Sequence, residues 1–223
     1  MKKPVVDYTK FRFSKINEPQ YRHLWLLLGW VVYFALYFLT ENLIPYSACH
    51  VVHSRVDDLI PFCEYFLVFY TAWYVLIFGL LLYYLLYDID SFKKLQIFIM
   101  ITQAIAMAVY IIWPSRQDMR PDEFVRSNFF TWLMGIIYGF DTSTGVCPSL
   151  HVGYSLGVLA VVLRKKNVKP VTKVAVVLLV IMICVSTMFV KQHSFVDVIA
   201  AIPLGIIADF LVFGLPKLKN RAR

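Results

Sequence analysis

Six stretches of the chain are apolar and almost free of charge, near 24 to 44, 65 to 87, 95 to 113, 148 to 163, 174 to 190 and 195 to 215. Crossing about 30 Å of hydrocarbon takes roughly 20 helical residues, and a backbone inside lipid has to satisfy its own hydrogen bonds. The runs therefore predict an all-α, polytopic membrane bundle of about six transmembrane helices. A seventh run, FFTWLMGIIYGF at 129 to 140, is too short to cross and suits a short interfacial helix. Hydrophobic residues make up 60% of the 223 and charged ones only 16%, well below the usual quarter for soluble domains.

Lys and Arg fall unevenly between these runs. Lys2, Lys3, Lys10, Arg12, Lys15 and Arg22 precede the first. Lys93 and Lys94 separate the second from the third, and Arg164, Lys165, Lys166, Lys169 and Lys173 the fourth from the fifth. Lys217, Lys219, Arg221 and Arg223 follow the sixth. Seventeen of the 22 cations thus share one side, which the positive-inside rule makes cytoplasmic together with both termini. The net charge of +8 is an orientation signal with some attraction to anionic headgroups, and no nucleic-acid partner is expected. The first run is longer than a signal-peptide core and lacks a small-x-small cleavage site, so it reads as a retained span.

With no repeat or polar linker, 1–223 reads as a single integral-membrane domain: a basic segment at 1–23, a six-span bundle at 24–215 and a basic tail at 216–223. One connection, 114 to 147, is long, and long loops in compact domains are usually functional or disordered; its apolar content argues against disorder. Cys49, Cys63 and Cys147 would face outward, where a disulfide can form, although spacing does not pair them. No zinc-type spacing occurs.

Three polar stretches converge on the outer face. Residues 114 to 121 close the third span, 148 to 151 open the fourth, and 190 to 197 join the fifth to the sixth. His193 and Asp197 stand four apart, on one face of a helix that begins there, so the carboxylate can hold one imidazole nitrogen and sharpen the other as a nucleophile. Histidines in membrane proteins are more often packed or interfacial, the reading given to His23, His50 and His53. His151 and His193 differ because ionisable groups at span ends facing a cavity are usually functional. Arg120 and Lys191 as cations, Ser149 as a hydroxyl donor and the free amides heading the fourth span complete an anion cradle, to which Arg116 adds a further cation one turn from Arg120. Ser186 reads as a packing residue, Asp209 as structural or near the cytoplasmic end, and Asp57 and Asp58 as lining the entrance.

WPSRQDMRP (113–121), CPSLHV (147–152) and KQHSFVDV (191–198) resemble the three motifs of the type 2 phosphatidic acid phosphatase superfamily, K-x6-R-P, P-S-x-H and S-R-x5-H-x3-D. The likeness covers roughly 100 to 205. Pro148, Ser149 and His151 fit the second motif; Ser186, His193 and Asp197 fit the third; Arg120 and Pro121 end the first. Trp113 replaces the first motif's Lys and Thr187 the third motif's Arg, departures similar to the branch that includes inositol phosphorylceramide synthase and is related to sphingomyelin synthases.

The resemblance implies that His193 attacks phosphorus, Asp197 orients it, and His151 protonates the departing oxygen and later activates the acceptor. It implies no cofactor and no metal, with Arg120, Ser149, Lys191 and Arg116 holding the phosphate. The expected activity is hydrolysis of a membrane lipid phosphate ester through a phosphohistidine on the non-cytoplasmic face. The alternatives are headgroup transfer to an alcohol acceptor, a non-catalytic lipid-binding or transport relative, and a metal pair built on the two histidines.

Overall fold

A computed structural model describes residues 3–216 and 218. Of the residues in the charge argument above, Lys2, Lys217, Lys219, Arg221 and Arg223 lie outside the described residues, as does most of the expected basic tail. Eight α-helices are present among the described residues: α1 (Leu28–Leu43), α2 (Arg55–Leu59), α3 (Leu67–Tyr87), α4 (Ile89–Ile112), α5 (Phe129–Phe140), α6 (Leu150–Arg164), α7 (Pro170–Phe189) and α8 (Phe195–Asp209). Two strands of two residues each, β1 (His50–Val51) and β2 (Ser115–Arg116), pair in parallel and tie the outer loops together.

Among the described residues five helices are long and apolar enough to cross a membrane: Arg22–Leu43, Glu64–Tyr87, Ile89–Ile112, Pro170–Phe189 and Phe195–Gly214. The chain is an integral membrane helical bundle. The expected fourth span departs from the other five. At 15 residues α6 is about 22 Å long, short of the hydrocarbon thickness. It tolerates this because it is the central helix, packed on α3, α4, α7 and α8, with most of its side chains buried in protein.

The third span also differs from expectation. It starts at Ile89 rather than near 95, so α3 and α4 meet at Asp88 and Lys93 and Lys94 ride on the first turns of α4. Asp88 makes the sharp junction work. Its carboxylate accepts the Ser91 N–H at 3.1 Å as the N-cap of α4, and it binds Lys165, which follows α6. The interfacial helix expected at 129 to 140 forms with those bounds as α5, begun by Asn128, whose side chain accepts the N–H groups of Phe130 at 2.9 Å and Thr131 at 3.0 Å.

Close packing of the centre follows from small residues. A β-carbon on Gly157 of α6 would come within 2.7 Å of the Phe98 ring on α4, so glycine is what lets the two helices approach. By contrast α1 leans chiefly on α4 and buries no residue of its own; the Trp30 indole N–H donates to the Gln96 amide oxygen at 3.0 Å, a polar tie between the two. The N-terminal segment folds back over the same end as the α3–α4 junction, with Val5 N–H donating to Leu86 O at 2.8 Å and the Tyr8 hydroxyl to Leu85 O at 2.9 Å. Lysine-rich segments therefore collect at one end of the bundle and the 114 to 147 connection at the other.

Candidate active site

Two helix starts meet at that second end. Ser149 caps α6, its hydroxyl oxygen accepting the Val152 N–H at 3.4 Å, while its own N–H donates to the Asp197 carbonyl at 3.1 Å. Ser194 caps α8, and the Asp197 carboxylate returns to accept the Ser194 N–H at 2.8 Å in a capping box. The α7–α8 turn is tight because Lys191 adopts a left-handed φ of 52°, which lets the amides of Gln192 and His193 both donate to Thr187 O, at 2.9 and 3.1 Å.

These local structures bring three residues into a row. His193 Nδ1 lies 3.4 Å from Asp197 Oδ2 and 3.1 Å from the carbonyl oxygen of Val146, and His193 Nε2 lies 3.3 Å from His151 Nδ1. Both neighbours of His193 Nδ1 are acceptors, so that nitrogen carries the proton and Nε2 holds the lone pair. His151 is held from several directions. The Tyr70 and Trp73 rings stand 4.7 and 4.3 Å from its imidazole, and its carbonyl accepts the Trp73 indole N–H at 3.0 Å and the Ser155 hydroxyl at 2.7 Å. Its Nε2 is buried with no partner.

Both histidines line a cavity of about 250 Å³. Its walls are aromatic, with Trp30, Tyr33, Trp73, Tyr74 and Phe78 among them, and its polar lining includes Asp141 and Gln192. Asp197 is fully buried behind His193 and keeps one carboxylate oxygen unbonded. Among the described residues no three His, Cys, Asp or Glu side chains stand close enough together to hold a metal ion.

The expected phosphate-binding set divides. Ser149 is buried at the head of α6, where it acts as a cap beside His151. Arg120 backs the cavity rather than lining it. Its guanidinium donates to Tyr138 O at 3.2 Å, Asp141 O at 2.5 Å, Thr142 O at 2.8 Å and the Gln192 side-chain oxygen, and it lies over the Tyr138 ring at 4.4 Å. Burial lowers its pKa, an effect that the nearby Asp141 charge offsets only in part.

Lys191 and Arg116 are placed elsewhere. The Lys191 ammonium points away and donates to Asp57 O at 3.1 Å and Ile60 O at 2.5 Å; Arg116 stacks on Tyr46 at 4.3 Å, donates to Tyr46 O at 2.7 Å and pairs with Asp118. Each cation sits near the site in sequence, yet its long stem carries the charge to a loop carbonyl outside the cavity. Asp57 also departs from expectation. Far from lining an entrance, it is buried and accepts the Ser194 hydroxyl at 2.6 Å and the Phe195 N–H at 2.7 Å, clamping the outer loop onto the start of α8.

The other residues singled out by sequence find ordinary partners. His23 bonds the Tyr8 hydroxyl at 2.7 Å, His53 pairs with Asp58 at 2.8 Å, His50 stacks on Trp113, and Ser186 donates to Ile183 O at 2.6 Å. Asp209 pairs with Arg164 at 2.8 Å at the far end. All four cysteines are free; burial, with Asp197 adding to it, pushes the Cys147 thiol up to about 12.

Asp141, Glu41 and Gln192 take part without having been singled out. Asp141 accepts the Tyr70 hydroxyl and the Gln192 amide, the latter at 3.2 Å, and Glu41 accepts the hydroxyls of Thr142 and Thr144. The available signals were local: an acid inside an apolar run in α1, and a polar cluster, DTST, closing α5. No family model, curated protein or solved structure matches the chain.

Proposed function

We propose that the protein is an integral-membrane lipid phosphatase that hydrolyses a lipid phosphate ester through a phosphohistidine, with its site on the non-cytoplasmic face and both termini cytoplasmic. The observation that carries this reading is the row Asp197, His193, His151 at the wall of a cavity within the bundle. Its chemistry belongs to the type 2 phosphatidic acid phosphatase superfamily that CPSLHV and KQHSFVDV resemble.

In the reaction the His193 Nε2 lone pair forms a bond to phosphorus while the bond from phosphorus to the lipid oxygen breaks. A phosphoryl group reaching that lone pair displaces the 3.3 Å contact with His151, which frees His151 to give its proton to the departing oxygen. Water, losing a proton to His151, then attacks the phosphohistidine and releases phosphate. Asp197 keeps the His193 proton on Nδ1 and stabilises the positive charge that develops. The first amides of α6 and, behind the cavity, Arg120 supply the positive field for the phosphoryl oxygens.

Headgroup transfer is the second reading, and the aromatic walls favour it. A cavity lined by Trp30, Tyr33, Trp73 and Phe78 gives water few partners and gives a lipid alcohol apolar surface. The two are separated by turnover of purified protein on a phospholipid panel, with chelator present and with or without lipid alcohols, following free phosphate and new lipids separately. Free phosphate alone supports hydrolysis, a new phospholipid without matching phosphate supports transfer, and neither product removes both readings.

A further inference from the structure

At the end of the bundle opposite His151, a cleft of about 530 Å³ opens between α4, α6 and α8. Phe98, Leu156, Leu159, Ile202, Ile206 and Phe213 give it apolar walls. It ends at a charged rim: Arg164 pairs with Asp209 at 2.8 Å and lies over the Phe213 ring at 4.3 Å. Along one side α8 widens into a π-helical turn, Phe210–Gly214, an irregularity that recurs at functional positions in helices.

A second pocket of about 290 Å³ adjoins the first and shares Arg164 and Phe213 with it. Lys94, Arg164, Lys165 and Lys166 line it against two carboxylates, Asp88 and Asp90. Lys165 is occupied by Asp88 and Ser91 and Arg164 by Asp209. Lys94 and Lys166 make no ion pair or hydrogen bond among the described residues.

A cleft with hydrocarbon walls, adjoining across Arg164 and Phe213 a pocket whose positive charge exceeds its negative charge, matches one kind of molecule. We propose that this end of the bundle binds a single anionic phospholipid, its acyl chain between α6 and α8 and its phosphate at Lys94 and Lys166. Lipids are the ambient solvent of the apolar cleft, and basic pockets between helices select the anionic ones. The site is separate from the histidine cavity and does not depend on the activity assigned there.

The test is native mass spectrometry and thermal melting of the full chain in detergent, with phosphatidylglycerol and phosphatidylcholine of identical acyl chains, and with soluble glycerol phosphate. The expected result is one retained phosphatidylglycerol per chain and a higher Tm with it than with phosphatidylcholine. Lys94→Gln and Lys166→Gln are each expected to weaken the preference about fivefold, and Ile206→Trp to weaken binding of both lipids by filling the cleft. Equal retention of the two lipids, a preference unmoved by both lysine variants, or equal stabilisation by glycerol phosphate would overturn the proposal. A phosphatidylglycerol held only in the histidine cavity would appear as the second of these.

Discussion

His193 Nδ1 faces the carbonyl of Val146 and the carboxylate of Asp197 at once, two acceptors that hold the proton there and leave the Nε2 lone pair facing His151 Nδ1. A tautomer fixed this way is a residue-scale property with a residue-scale consequence. Asp197→Asn retains an acceptor for the Ser194 amide but removes the charge that balances an imidazolium. Activity is expected to fall on the order of 10³- to 10⁴-fold with Tm nearly unchanged, as kcat measurement and a melt would show. Arg120→Lys replaces a fork that reaches three carbonyls and Gln192 with a single ammonium; KM is expected to rise about tenfold, with a lower Tm. His151, His193 and Asp197 were legible in sequence because helix periodicity and span ends fix where short side chains point. Arg116 and Lys191 were not, since a long side chain reaches several partners and only the fold decides which.

Elements are joined here by buried polar clamps more than by loop length. Asp57 is the plainest case: burial disfavours its charge, but the hydroxyl and amide donors of Ser194, Phe195 and Ser54 hold its carboxyl below its ordinary 3.8. A depressed carboxylate pKa means stabilisation present above the unfolded value, near 4, and lost as pH falls through the lower folded value. Melting in detergent from pH 7 down to pH 3 is therefore expected to lose stability in that acid window for the native chain and less for Asp57→Asn. That variant is expected to be about 2 kcal/mol less stable at pH 7. Gly157→Leu tests the α4–α6 contact; with Phe98 only 2.7 Å from the missing β-carbon, it should cost about 1–3 kcal/mol or displace α6. Hydrophobic runs placed the long helices, and the 12-residue α5, within a few residues. They did not distinguish α6 as a core helix, because burial in protein and burial in lipid select the same side chains. The junction at Asp88 was hidden for a related reason: Lys93 and Lys94 look like a loop until the cap and the Lys165 pair are seen.

At the scale of the whole molecule the bundle has two unlike ends. One gathers Lys94, Arg164, Lys165 and Lys166 around a pocket that adjoins an apolar cleft; the other gathers two imidazoles, buried carboxylates and aromatic rings around a second cavity. On the orientation proposed above the first end is cytoplasmic, so single cysteines at Lys166 and Val125, in a chain whose own cysteines are replaced, are expected to react with an impermeant thiol reagent from opposite sides of the membrane.

In the proposed reaction His193 carries the phosphoryl group. Its most direct test is to quench purified protein during turnover of a phospholipid labelled at phosphorus and examine the chain for acid-labile, base-stable phosphate. Such a phosphoprotein is expected in the native chain, with the label at His193, and none in His193→Gln. Labelling that persists in His193→Gln, or turnover without any labelled chain, would contradict it.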